Sequence, residues 1–274
     1  MTEIGSPLTT VWGAAPALAG WAAAWRAGDC SPDDVLDALH DLDGQSVLTH
    51  QVGVADIETA GELELRPTGE GTDALLRILR APTVFEVLTP APGDTMGLPA
   101  GPVRTAALNA GELVVLRDPR RRKTFCLIAH RADRYTLVWT LHSCPQLRTP
   151  VPRPLCEVEY ELREAVREVT DILSRLSGRT NTPEDLRARL HDLTARRMVD
   201  LPPTADDRVH RVIAQAAQVG AIADLALQSA GGFGVTGTHQ DTGETALRRL
   251  ADLARVARMT AVNTAIARFG VVEN

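Results

Sequence analysis

The chain has 274 residues, 44% of them hydrophobic and 23% charged, which is the balance of an ordinary folded protein with length for one large or two average domains. Its 29 basic against 35 acidic residues leave a net charge of −6 and exclude a general polyanion binder, while 4% aromatics are too few for base- or sugar-stacking platforms. Lys123 is the only lysine, the arginine-for-lysine habit of a GC-rich, bacterial genome.

Residues 11–25 are uncharged and alanine-rich. They lack the basic flank of an export signal and the ~20-residue length of a membrane span, so they read as a buried helix with Leu18, Trp21, Ala22 and Trp25 on one side. Ser31-Pro32-Asp33-Asp34 starts a second helix, with a capping serine, a first-turn proline and acids at the positive end. A strand is expected over 46–54, a short helix from Thr72 carrying Leu75, Leu76 and Leu79, and a strand over 83–88.

Residues 90–102 form a proline- and glycine-rich loop, followed by a short helix over 102–109 that Gly111 ends. Three strand patterns then follow, over 112–116, 124–130 and 135–142, with short connections that imply an antiparallel meander. A two-residue turn between Arg131 and Arg134 would set Cys126 opposite Trp139.

Pro145, Pro150, Pro152 and Pro154 mark a stiff connector over 145–156. Beyond it the signals are helical. Val158, Leu162, Ala165, Val169, Ile172 and Leu176 make one apolar stripe, with Glu159 and Arg163 paired on the other side. Thr182-Pro183-Glu184-Asp185 starts the next helix, which carries Leu186, Leu190 and Leu193. Thr204 is the expected cap of a third, with Asp206 and Asp207 in its first turn. After a glycine-rich break over 231–237, Asp241 and Glu244 form a capping-box pattern for the last helix. Its face carries Leu247, Leu250, Ala254, Ala257, Ala261 and Ala265. The fold class is therefore α+β: a small antiparallel sheet with flanking helices over 1–144, the connector over 145–156, and a bundle of about four helices over 157–274.

No motif on the chain supplies a reaction. Gly232, Gly234 and Gly237 spell the dinucleotide-binding pattern, but they follow a helix and not a strand, so no cofactor is expected. His130, His142, Cys144 and Cys156 lack the paired spacing of a zinc site and straddle the connector, and Asp207 with His210 has no matching second pair. No metal is expected, and the four cysteines, Cys30 included, read as reduced thiols of a cytoplasmic protein.

Two features are candidate interaction residues. Arg117, Arg120, Arg121, Arg122 and Lys123 form the one dense basic cluster, at an expected hairpin tip; without aromatic interleaving or other basic runs, nucleic-acid contact is the lesser reading. Asp94, Thr95 and Met96 lie near the tip of the 90–102 loop, which otherwise reads as a stiff connector covering one end of the sheet. The expectation is a non-enzymatic protein-binding, adaptor or regulatory protein, with a protein partner, a homodimer formed through the alanine-rich C-terminal helices, and no membrane contact. The alternative is a small-molecule enzyme with its site between the two halves.

Overall fold

The computed structural model describes residues 11–42, 45–55, 59, 71–81, 84–118, 122–176, 184–228 and 237–270. The chain divides into two compact units, one of residues 1–151 with 199–205 and 265–274, the other of residues 152–198 with 206–264.

The first unit opens with α1 (Ala14–Ala27), buried along most of its length because its small side chains let neighbouring elements close on it. The buried carboxylate of Glu112 accepts the Ala15 amide at 2.9 Å, satisfying one of the donors a helix start leaves open. Helix α2 (Pro32–Ala38) carries the capping box expected at Ser31: the Ser31 amide donates to Asp34 at 2.7 Å, and the Asp34 amide donates to the Ser31 hydroxyl at 3.2 Å. There follow β1 (Asp41–Leu42), β2 (Gln45–Ser46), β3 (Thr49–Val54), α3 (Thr72–Arg80), β4 (Val84–Leu88), α4 (Pro102–Ala110), β5 (Leu113–Asp118), β6 (Lys123–Arg131) and β7 (Thr136–Ser143). The single strand expected over 46–54 is interrupted at Val47 and Leu48, where the Val47 amide turns to the His40 carbonyl.

The larger sheet has the order β3-β7-β6-β5-β4. Strands β4 to β7 pair antiparallel, and β5-β6-β7 is the expected meander. Strand β3, however, joins β7 in parallel, so the sheet is mixed. A parallel neighbour needs a crossover, and the chain supplies one by passing through α3, β4, α4, β5 and β6 between them.

Pairing register assigns the two faces. One carries Phe85, Val87, Val114, Leu116, Phe125, Leu127, Leu137, Trp139, Leu141, His50 and Val52, all buried; α1 packs against β4, β5 and β6, and α3 against β3. Arg26 of α1 stacks over the Phe85 ring at 5.2 Å. The other face is buried at Leu88, Leu113, Val115, Cys126 and Ile128. Cover on both sides is why β6 reads as a continuous apolar run from Phe125 to Ala129.

The β6–β7 register differs from the expected one. Arg131 pairs with Leu137, so Cys126 lies opposite His142 and Trp139 opposite Ala129. The turn is longer than two residues because the Asp133 carboxylate gathers the amides of Tyr135 at 2.8 Å and Thr136 at 2.9 Å. An odd shift in register reverses the face, and Cys126 and Trp139 end on opposite sides of the sheet.

The second unit packs α5 (Leu155–Leu176), α6 (Glu184–Arg197), α7 (Asp207–Gln228) and most of α8 (Gly237–Gly270). Val158, Leu162 and Ala165 of the α5 stripe are buried; the side chains of Val169, Ile172 and Leu176 lie outside the described residues, as do Gly178 and Thr182. Glu159 accepts Arg208 of α7 at 2.7 Å and Arg163 of its own helix at 2.7 Å. Arg197 of α6 pairs with Asp224 of α7, and Arg189 donates to Gln228 at 2.9 Å. The third helix is capped by Asp206 and not Thr204: its carboxylate takes the Arg208 amide at 2.6 Å, while residues 202–205 close a separate turn. The last helix already runs through Asp241, having begun at Gly237, so that residue is no cap. Among the described residues no helix is long and apolar enough to cross a membrane.

Candidate interaction surface

The basic cluster is partly spent in intramolecular pairing. Arg117, on β5, donates to Glu86 at 3.2 Å and to the Thr149 hydroxyl at 2.8 Å. Lys123 pairs in register with Asp118 at the end of the hairpin ladder. Arg122 is exposed, in a left-handed conformation with φ 53. Arg120 and Arg121 lie outside the described residues.

The 90–102 loop is fastened down. Ala91 and Asp94 exchange backbone hydrogen bonds at 2.9 Å each, and the Leu98 amide donates to the Thr95 carbonyl at 3.0 Å. The Asp94 carboxylate takes the Met96 amide at 3.2 Å, and Arg104 donates to the Leu98 carbonyl at 2.7 Å. Asp94 and Thr95 are half-buried, and Met96, only 5% exposed, is core. The glycine pattern at 232–236 lies outside the described residues; Gly237 is the first residue of α8.

The histidines of the sequence stand in different surroundings. His50 is buried, and its Nδ1 accepts the Trp139 indole N–H at 3.3 Å. Burial holds its pKa down to about 4, so it is neutral at neutral pH. Burial also lowers His130, while His40, between α2 and β1, and His191, on α6, are exposed. Among the described residues no three His, Cys, Asp or Glu side chains converge as a metal site.

A surface that sequence reasoning missed lies where β3 and β7 begin. The Leu48 amide donates to the Tyr135 carbonyl at 2.9 Å, and the Thr49 amide to the same oxygen at 3.1 Å. These bonds set Leu48 beside Tyr135 at one end of the sheet, and both side chains are open, at 63% and 45% exposure. Arg134 lies over the Tyr135 ring at 5.3 Å. In the turn before it, hydrogen bonds from the Tyr135 amide, then from Thr136, hold the Asp133 carboxyl below its usual range. Arg131 ties the turn to the rest of the unit through the carbonyls of Arg134 at 3.0 Å and Leu42 at 3.4 Å. The only sequence signal was a tyrosine beside a turn and a leucine where strand alternation faltered.

Family models of the Rv1486c-like protein match the chain in two parts: the N-terminal domain over residues 15–155 and the C-terminal domain over residues 156–259. A Mycobacterium leprae protein described as uncharacterized protein ML1804 is 31% identical over 300 residues, covering 92% of this chain and 97% of its own. The Mycobacterium tuberculosis proteins described as uncharacterized proteins MT1533 and Rv1486c are each 33% identical over 287 residues, covering 92% of this chain and 96% of their own. No solved structure matches.

Proposed function

The chain belongs to the Rv1486c-like protein family, and we propose that it acts without catalysis, as a protein-binding module of adaptor or regulatory type. Its contact face is the sheet end formed by Leu48, Arg134 and Tyr135. The observation that carries this reading is that two large, exposed side chains, Leu48 and Tyr135, stand on residues bonded backbone to backbone, with the Arg134 guanidinium over the tyrosine ring. Tyrosine and arginine are residue types that anchor protein interfaces: tyrosine buries a large ring on two rotatable bonds, and arginine presents a planar guanidinium with five donors. Arg134 favours a partner that rims an apolar contact with carboxylates.

The test is affinity capture from native cells with the full chain and with a Leu48→Asp/Tyr135→Ala double variant. A protein retained by the wild type should be depleted at least tenfold by the variant, with the thermal midpoint of tryptophan fluorescence unchanged. Equal retention by both chains rejects the surface. A small molecule that co-purifies and is turned over favours the enzyme alternative instead.

The helical unit is the second face in this reading. Leu247, Leu250, Ala254, Ala257 and Ala261, on the face expected to seal a homodimer, are buried within the chain itself. Self-association would therefore use what remains open among the described residues of this unit, Tyr160, Met198 and Ile222, exposed 62%, 44% and 40%. Sedimentation of the full chain at high micromolar concentration should show a dimer that Ile222→Asp dissociates. A strict monomer excludes it.

A further inference from the structure

The proline-rich connector is fastened at both ends and open in the middle. At its start Leu147 is buried, the Arg148 amide donates to the Gly97 carbonyl at 3.4 Å, and the Thr149 hydroxyl accepts Arg117 at 2.8 Å. At its end the Pro154 carbonyl accepts the Glu157 amide at 3.1 Å where α5 begins, and Arg153 donates twice to Glu161, at 2.5 and 3.0 Å. Between these holds Pro150, Val151 and Pro152 are exposed, Val151 at 85%. Every residue of 149–154 either is a proline or precedes one. Proline fixes its own φ and confines the residue before it to extended backbone, so the run is set toward a polyproline II helix. With about three residues per turn, Arg148, Val151 and Pro154 share one ridge, and Thr149, Pro152 and Leu155 another. The second ridge is half-buried at both its ends, whereas the first is exposed throughout.

We propose that residues 148–154 are a docking segment for a partner protein that reads polyproline II helices, through a groove of parallel aromatic rings with a carboxylate at the Arg148 end. The prolines remove amide donors and leave rings and carbonyls outward, the surface that aromatic slots and their ring N–H or O–H donors match. The prolines and the two end holds order the segment before any partner arrives, so binding loses little chain entropy. Arg148 supplies the charge that fixes direction along the groove; Arg153 is committed to Glu161. Each compact unit exposes a single aromatic side chain among the described residues, Tyr135 in one and Tyr160 in the other, too few for such a slot. The occupant is therefore a different protein and not a second copy of this chain. This contact uses no residue of the Leu48–Tyr135 surface and stands independently of it.

The test uses the exposed Cys156 beside the segment as a handle. A full-length Cys30→Ser chain carrying a benzophenone maleimide on Cys156 is irradiated in an extract of its own cells, and the crosslinked peptides are mapped by mass. The adduct should lie on one protein, in a peptide containing tryptophan or tyrosine with an acidic residue nearby. An excess of the synthetic peptide of residues 148–154 should suppress it at least about tenfold, and the same peptide with its prolines replaced by alanine should not. Pro150→Ala/Pro152→Ala in the full chain should lower it as much, with the thermal midpoint of tryptophan fluorescence unchanged. The Leu48→Asp/Tyr135→Ala chain should give the adduct undiminished, which tells failure of this contact from failure of the other. No adduct, an adduct that the 148–154 peptide does not suppress, or one on a peptide without aromatic residues overturns the proposal.

Discussion

Replacing Gly97 by alanine should cost the sheet-containing unit about 4 kcal/mol or more, the range reserved for exceptional single substitutions. Gly97 sits at φ +77, and a Cβ there would lie 1.7 Å from the Arg148 carbonyl oxygen and 2.7 Å from its carbon. No rotamer change relieves that clash, because the obstacle is backbone. The alternative is to push residues 145–150 away from the 90–102 loop, losing the Arg148–Gly97 hydrogen bond and the Thr149 contact to Arg117. Gly93 is the control: its φ of +90 is equally left-handed, but nothing lies within 4 Å of its Cβ position. Gly93→Ala should cost only the conformational penalty, about 1–2 kcal/mol. Trp12, Trp21, Trp25 and Trp139 all belong to the sheet-containing unit, so fluorescence-monitored denaturation of the full chain reads that unit. Equal costs for the two variants would mean that the loop and the connector do not approach as described.

The second large effect is a loss of stability in mild acid. His50 is neutral in the fold, with a pKa of about 4 against the ordinary 6.5. Between those values the unfolded chain binds a proton that the folded chain refuses, so stability falls as pH falls. The contribution is fully present above pH 6.5, declines toward pH 4 and levels off below it. A depression of this size corresponds to roughly 3 kcal/mol. His50→Gln keeps an acceptor for the Trp139 indole but does not titrate, so its curve should lack this decline. The carboxylates held low by hydrogen bonds, among them Asp133 and Glu159, lose their contribution at lower pH and in both chains alike. Parallel wild-type and variant curves between pH 4 and 6.5 would show that His50 does not set the acid response.

The candidate contact residues were only partly legible in the sequence. The density of positive charge from Arg117 to Lys123 was plain, but the engagement of Arg117 was not: its partners Glu86 and Thr149 lie 31 and 32 residues away. Met96 stood in a loop rich in proline and glycine, which suggests exposure; the Asp94 carboxylate and a left-handed backbone turn it inward. Leu48 and Tyr135 carry no motif, and only their cross-strand pairing makes them one surface.

What local chemistry dictates, the sequence determined by itself: the Ser31 capping box, the 3.6-residue stripe of α5, the continuous apolar runs of β5 and β6 and the alternating run of β7, and the α+β class they add up to. Those features depend on residues a few positions apart. The tertiary structure alone decided the parallel docking of β3 on β7, the register that parts Cys126 from Trp139, and the burial of the alanine face of α8. Each of these is a choice between partners far away in the chain. Periodicity says that a face must be covered; only the packed fold says by what.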